Sequence, residues 1–216
     1  FQLSNTEYQP RHVEQTELQD LLQAADLVDR RKPLPADLDI ALLHGTSVGG
    51  ARPKALVHDN GRAYIAKFSS STDSYDIVKA EYVAMQLAEK AGLQVADTRL
   101  VSVAGKDVLL VERFDRAYQV DSVQRRMLLS GLSLLGLNEM EARYASYRDL
   151  ADLIRKAFAE PTRELHQLYG RLVFNVLVGN TDDHARNHSA FWDGRDLALT
   201  PAYDLCPQMR SGGEAG

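Results

Sequence analysis

The stretch GNTDDHARN, residues 179–187, follows the apolar run LVFNVLV (172–178) and sets two aspartates, a histidine and an asparagine within six residues. Carboxylates take protons from hydroxyls, and carboxylate and amide oxygens together hold hard cations. Asp182 and Asn187 are separated by four residues. An aspartate and an asparagine at that spacing serve phosphoryl transfer: the carboxylate accepts a hydroxyl proton and the amide oxygen holds Mg2+. Asp183 is the competing base, one residue closer to the asparagine. Asp204, in LTPAYDLC, lies twenty-two residues after Asp182 and is the candidate for a second metal ligand. A solvated turn and a helix cap use the same residue types. The order of further signals along the chain decides between these readings.

Upstream, AYIAKF places Lys67 near the end of a strand, with Ile65 on its face and Tyr64, Ala66 and Phe68 on the other. A lone strand lysine is commonly a solvated edge residue. Here Glu81 lies fourteen residues on, inside a helical pattern, with Glu89 as a weaker candidate. A strand lysine oriented by a helix glutamate grips nucleotide phosphates in kinases. GTSVGGARPK (45–54) precedes the strand. Its Gly49 and Gly50 permit close backbone approach, its successive N–H groups can form an anion nest, and Lys54 adds a cation. The loop matches neither GxxxxGK[ST] nor GxGxxG.

The totals are those of a globular protein. Hydrophobic residues make up 44% and charged residues 25% of the 216 positions, and the net charge is −5, which argues against a nucleic-acid or membrane surface. The single cysteine, Cys206, excludes an intramolecular disulfide framework and a cysteine zinc site and fits a reducing, cytoplasmic setting. No apolar stretch approaches the ~20 residues of a membrane span. His184 and His188 lack further ligands at zinc spacing. Adjacent residues such as Asp182 and Asp183 rarely flank one glycosidic bond from opposite faces, which argues against a glycosidase pair. The chain begins without Met and stops at RSGGEAG without a closing element, which reads as a piece of a longer protein.

The elements that must position these residues follow from periodicity. Residues 15–30 show helical spacing, and 31–39 form a proline-marked linker. Two hairpins are expected, over 55–68 around Asp59-Asn60-Gly61 and over 98–114 around Ala104-Gly105, with a helix over 74–92 between them. Helices are expected over 123–137, 147–159 and 161–179, and short strands at SAFWD and LALTP. The class is α+β: a β-rich lobe, a join near 113–120, then an α-rich lobe. The expected divisions are an N-terminal helix and linker (1–40), a kinase-like N-lobe (41–116) and a partial helical C-lobe bearing the catalytic loop (117–216).

TSVGGARPKA, VERFDR, GNTDDHARN and LTPAYDLCP, in that order, resemble the HipA family of bacterial serine/threonine kinases, toxins of toxin–antitoxin pairs, over roughly residues 44–207. The resemblance implies a protein-kinase-like bilobal fold, ATP with Mg2+, and phosphorylation of a protein serine or threonine. Ser47, Val48, Gly49, Gly50, Ala51 and Lys54 match the family's phosphate loop, and Lys67 its ATP lysine. Glu112, Arg113 and Phe114 match the adenine hinge. Asp182 matches the catalytic aspartate, and Asn187 and Asp204 the Mg2+ ligands. His184 stands two residues after Asp182, placed to meet a phosphate or brace the loop, and Tyr203 joins the nucleotide set beside Asp204. Ser47 matches a serine that such kinases autophosphorylate, with Thr46 beside it. A phosphate there adds roughly −1.5 to −2 of charge, which opposes the phosphates of ATP.

The resemblance also implies an antitoxin partner, DNA contact only through that antitoxin, and a target in translation such as an aminoacyl-tRNA synthetase. Family members carry more chain on both sides than is present here. Two other readings keep the same residues: a small-molecule phosphotransferase of the antibiotic-kinase type, and a non-catalytic module that binds nucleotide or antitoxin.

Overall fold

The computed structural model describes residues 16–17, 54–69, 73–103, 106–119 and 122–209. Ten strands and four α-helices are named below in chain order.

The first layer is a five-stranded sheet of order β1-β2-β3-β5-β4. Its strands are β1 (Thr16–Glu17), β2 (Lys54–Asp59), β3 (Arg62–Phe68), β4 (Thr98–Val103) and β5 (Lys106–Glu112). The β2–β3 turn has positive φ at both central residues, Asn60 (50°) and Gly61 (75°). That is the two-residue hairpin turn an Asn-Gly pair favours, because its twist matches the strands. Both expected hairpins are present; Ala104 and Gly105 themselves lie outside the described residues. Thr16 and Glu17 pair in parallel with Val57 and His58 rather than starting a helix, and the rest of the expected 15–30 helix lies outside the described residues.

Register sets the two faces of this sheet. Lys67 opposes Lys54 on one side and Leu109 on the other, and Leu109 opposes Leu100. These residues share a face, since side chains alternate along each strand. The opposite face buries Ala55, Val57, Ala66, Val108 and Leu110. Helix α1 (Ile77–Lys90) covers the Lys67 face, burying Ile77, Val78, Glu81, Ala84, Met85 and Ala88 at helical spacing. Glu81 is the one ionisable residue on that stripe. Asp76 caps the helix by accepting from the Lys79 N–H, and Gly92, at φ 87°, follows its end.

The second half contains more strand than its sequence suggests. β6 (Arg116–Tyr118) and β7 (Val123–Arg125) form a ribbon. β8 (Met127–Ser130), β9 (Ser189–Trp192) and β10 (Leu197–Leu199) form a three-stranded antiparallel sheet. The expected helix over 123–137 is therefore wrong. Only α2 (Gly131–Leu134) is α-helical there, because Met127–Ser130 pairs with a strand about sixty residues later. The helices α3 (Tyr147–Ala157) and α4 (Pro161–Val178) stand where expected. A capping box joins Ser146 and Asp149 at the start of α3, and Pro161 opens α4. Leu150, Ile154, Phe158, Leu168 and Ala190 form the core of this half.

The two halves share a core cluster. Ile77, Met85, Leu109 and Val111 pack with Phe174, Ala202 and Leu205. Backbone bonds tie Ala202 to the stretch before β4: the Ala96 N–H donates to Ala202 at 2.9 Å, and the Ala202 N–H donates to Gln94 at 2.8 Å. Phe114, just past β5, contacts Phe191 edge-on at 6.0 Å and Tyr203 at 5.6 Å.

Candidate active site

The chain turns out of its apolar helix at Gly179. α4 ends there with φ 70°, and the Gly179 and Asn180 N–H groups return to the carbonyls of Val176 and Asn175. A left-handed residue at this position lets the chain leave the helix abruptly, which suits glycine. The polar loop that follows leaves Asp182 exposed. Asn187 is buried at its far side. The Asn187 Nδ2 donates to the Asp182 carbonyl at 3.3 Å, which closes the loop and leaves Oδ1 out of that bond.

Lys67 links the two halves. Its Nζ donates to Glu81 Oε1 and to Asp204 Oδ1, each at 2.5 Å. Burial alone would lower the lysine's pKa, but the two carboxylates outweigh it and leave the ammonium held above its usual range. Asp204 shows the matching balance. Burial pushes its carboxyl up, while Lys67, Lys54 and His184 hold it below the ordinary carboxylate range. Asp204 sits at φ 60°, one of two non-glycine residues with positive φ among those described. Such a conformation is costly and clusters at functional sites. Lys54, half-buried opposite Lys67, is pushed below its usual range by burial and then by Lys67, with Asp204, Glu81 and Asp182 opposing. The charges of both lysines and all three acids therefore meet in one region.

Other expected site residues have visible engagements. The Glu112 carboxylate accepts from Arg62 at 2.6 Å. Arg113 makes a two-pronged bond with Asp115, at 2.6 and 2.5 Å. Their backbone N–H groups go to Asp97 and Ala63. Phe114 packs at the join of the halves, as described. The Tyr203 hydroxyl meets Ser189 Oγ at 2.5 Å and donates to the Arg186 carbonyl at 2.7 Å, bracing the loop. His184 is near enough to act electrostatically on Asp204, and its Nδ1 is buried without a partner among the described residues. Ser47, Val48, Gly49, Gly50 and Ala51, with Thr46, lie outside the described residues.

Asp183, weighed as a rival base, is differently placed from Asp182. It is partly buried, accepts from the Tyr147 hydroxyl at 2.5 Å and pairs with His188 Nε2 at 3.0 Å. Burial pushes its pKa up, but the bonds from His188 and Tyr147 leave it below the ordinary range. A carboxylate held this way is a poor proton acceptor. Sequence reasoning missed its supports, Tyr147, Asn175 and Asn180. The signal available was Asn175, an amide inside the apolar run LVFNVLV.

The donor set can be tested against a metal. Asn187 and Asp204 offer oxygen ligands, which suit Mg2+. Among the described residues no group of three or more His, Cys, Asp and Glu forms a metal site. A magnesium ion here would draw its remaining oxygens from phosphate and water, as that ion commonly does.

Known proteins share this architecture. The chain is 24% identical to a Shewanella oneidensis HipA solved with HipB and operator DNA, with TM-score 0.66 over 85% of this chain and 49% of that one. It is 23% identical to the Helicobacter pylori proinflammatory kinase CtkA, with TM-score 0.56 over 71% of this chain and 55% of that one. These likenesses give the fold: a kinase-like α+β architecture. In sequence it is 33% identical to a putative kinase, Y4mE, of Sinorhizobium fredii, over 65% of this chain and 33% of that protein. It is 29% identical to the serine/threonine-protein kinase toxin HipA of Shewanella oneidensis, over 74% of this chain and 42% of that protein. The chain thus spans between a third and a half of these two relatives. Residues 46–215 match the HipA-like C-terminal domain, and the chain belongs to that family.

Proposed function

We propose that this chain carries the catalytic core of an ATP-dependent serine/threonine protein kinase of the HipA toxin type. The observation that carries the reading is Lys67 bonded at once to Glu81 on α1 and to Asp204 in the second half. In this reading Lys67, oriented by Glu81, binds the α- and β-phosphates once Asp204 is released from it. The 49–54 loop covers the phosphates, Lys54 adds positive charge, and 112–114 receives the adenine. Asn187 and Asp204 hold Mg2+, which offsets charge on the transferring phosphoryl group. Asp182 orients the incoming hydroxyl and takes its proton.

Asp182 suits that task better than Asp183 because it is exposed on the loop, whereas Asp183 is already bonded to Tyr147 and His188. The partners proposed are a protein bearing the accepted hydroxyl, in translation, and an antitoxin through which DNA is reached. The antitoxin reading is supported by the solved HipA, which is in complex with HipB and operator DNA. Among the described residues no helix is long and apolar enough to cross a membrane; a cytoplasmic setting is part of the proposal.

The test is incubation with Mg·ATP, wild type beside Asp182→Asn, with added phosphate located by peptide mass spectrometry. Phosphate on Ser47 or Thr46 in the wild type alone is the expected result. Equal phosphate in both proteins removes Asp182 from the role of base. No phosphate in either, with nucleotide still bound, favours the non-catalytic reading.

A further inference from the structure

Beneath the proposed site runs a continuous chain of side-chain hydrogen bonds that the assigned chemistry does not use. His188 Nε2 meets Asp183 Oδ1 at 3.0 Å, and the Tyr147 hydroxyl donates to Asp183 Oδ2 at 2.5 Å. Asn175 Nδ2 donates to the Tyr147 oxygen at 3.2 Å. Asn180 Nδ2 donates to Asn175 Oδ1 at 3.1 Å and to the Asp204 carbonyl at 3.4 Å. Asn175, Asn180 and His188 are 3%, 7% and 5% exposed, and Tyr147 and Asp183 are partly buried.

The placement of the two ends matters. Asp183 follows Asp182, and His188 follows Asn187. The other end holds the backbone of Asp204, the residue at φ 60°. One strut therefore contacts a neighbour of each proposed loop residue and the third residue itself. Between the ends it crosses Tyr147 at the start of α3 and Asn175 near the end of α4, two elements with their own core.

We infer that His188, Asp183, Tyr147, Asn175 and Asn180 act as one positioning unit that fixes the Asp182–Asn187 loop against the Asp204 backbone. The inference rests on the proposed reading for its catalytic consequence but not for its geometry. A bonded buried network has this property because its bonds form together in one arrangement, and removing a member leaves its partners without bonds. None of the five is a catalytic residue; each acts through the loop or the Asp204 segment.

The test uses Tyr147→Phe, which keeps the ring beside His188 and removes only the hydroxyl, with Asp183→Asn and Asp183→Ala. Amide hydrogen exchange is followed across the protein, and the autophosphorylation rate is measured against ATP concentration. A lost bond to a charged group should raise local opening about tenfold or more. Tyr147→Phe is expected to speed exchange in both 181–188 and 203–206 while leaving the β2–β5 sheet unchanged. The maximal autophosphorylation rate should fall about tenfold, with half-saturating ATP moving less than about twofold, because alignment rather than phosphate binding is lost. Asp183→Asn, which retains an oxygen for Tyr147, should recover part of what Asp183→Ala loses. The Tyr147→Phe/Asp183→Asn double variant should be less impaired than the product of the single effects.

Faster exchange confined to 181–188, with 203–206 unchanged, overturns the inference, because the strut would then not span the site. Faster exchange everywhere overturns it in favour of general stability. Linked exchange at both ends in a wild type that transfers no phosphate supports the positioning unit and sinks the kinase reading instead.

Discussion

Lys67→Met is the most informative single change for the site's electrostatics. The lysine and glutamate side chains are 12% and 7% exposed, and Asp204 is 34% exposed. Methionine keeps much of the volume and removes the cation. Two carboxylates then face one region with Lys54 as the nearest remaining lysine of the pair across β2 and β3. Removing one partner of a buried ion pair costs about 3–5 kcal/mol, because the survivor keeps its desolvation penalty. For a chain of this length that is a drop in Tm of about 6–20 °C.

The pH dependence has a definite sign. In the wild type the Asp204 pKa lies below its ordinary value, with burial opposed by Lys67. That contribution is present above the unfolded-state pKa and is lost as pH falls through the folded-state value. In Lys67→Met the largest opposing charge is gone, only Lys54 and His184 remain against burial, and the carboxylate pKa rises relative to the wild type. The variant then gains relative stability as pH falls, so its deficit at pH 7 should narrow at pH 5. The assay is urea unfolding of both proteins at the two pH values. A loss below about 1 kcal/mol at pH 7, the range of exposed pairs, or a deficit that widens toward pH 5, refutes the reasoning.

Other expectations are more local. Arg62→Met breaks the bond to Glu112 at a site where the arginine side chain is 54% exposed, and the urea unfolding midpoint should not move measurably, because exposed pairs are screened by solvent. Ile154→Ala, at 1% exposure in the core of the helical half, should cost about 2–5 kcal/mol by the same measurement. Ser146→Ala removes the side-chain cap of α3 and should cost about 1 kcal/mol, with exchange rising first in the opening turn of that helix.

Much of the fold is legible because its causes are local. Asn60-Gly61 demands its hairpin turn whatever surrounds it, and the α1 stripe can be read from spacing alone. Lys67, Glu81, Asp182, Asn187 and Asp204 follow from spacing and order, and the structure places Glu81 and Asp204 on Lys67. What was illegible is non-local. MLLS looks helical in isolation and becomes strand because β9 offers an edge about sixty residues away. The strut beneath the site was hidden for the same reason: Tyr147 and Asp183 are thirty-six residues apart, and no local pattern pairs them. Spacing to Asn187 favours Asp182 over Asp183, and the bonds of Asp183 to Tyr147 and His188 separate the two further.

The misread segment bears directly on the site, and Gly131 shows how. β8 ends at Ser130, and the Gly131 N–H donates to the His188 carbonyl at 2.5 Å. A Cβ at Gly131 would lie 2.7 Å from the Ala185 carbonyl oxygen, 3.0 Å from Leu150 Cδ2 and 3.1 Å from the His188 carbonyl oxygen. Two of these obstacles are backbone of the loop that carries Asp182 and Asn187. Leu150 is a side chain and can yield, but the carbonyls move only with the loop. Gly131→Ala should therefore cost about 1–3 kcal/mol as overpacking and displace the loop rather than the helices. If the proposed chemistry is right, autophosphorylation should fall by more than the unfolded fraction explains. Hydrogen exchange should quicken at 185–189 before it changes in α3. Retention of wild-type stability and loop protection would mean that the close approach of α2 to the loop does not constrain it.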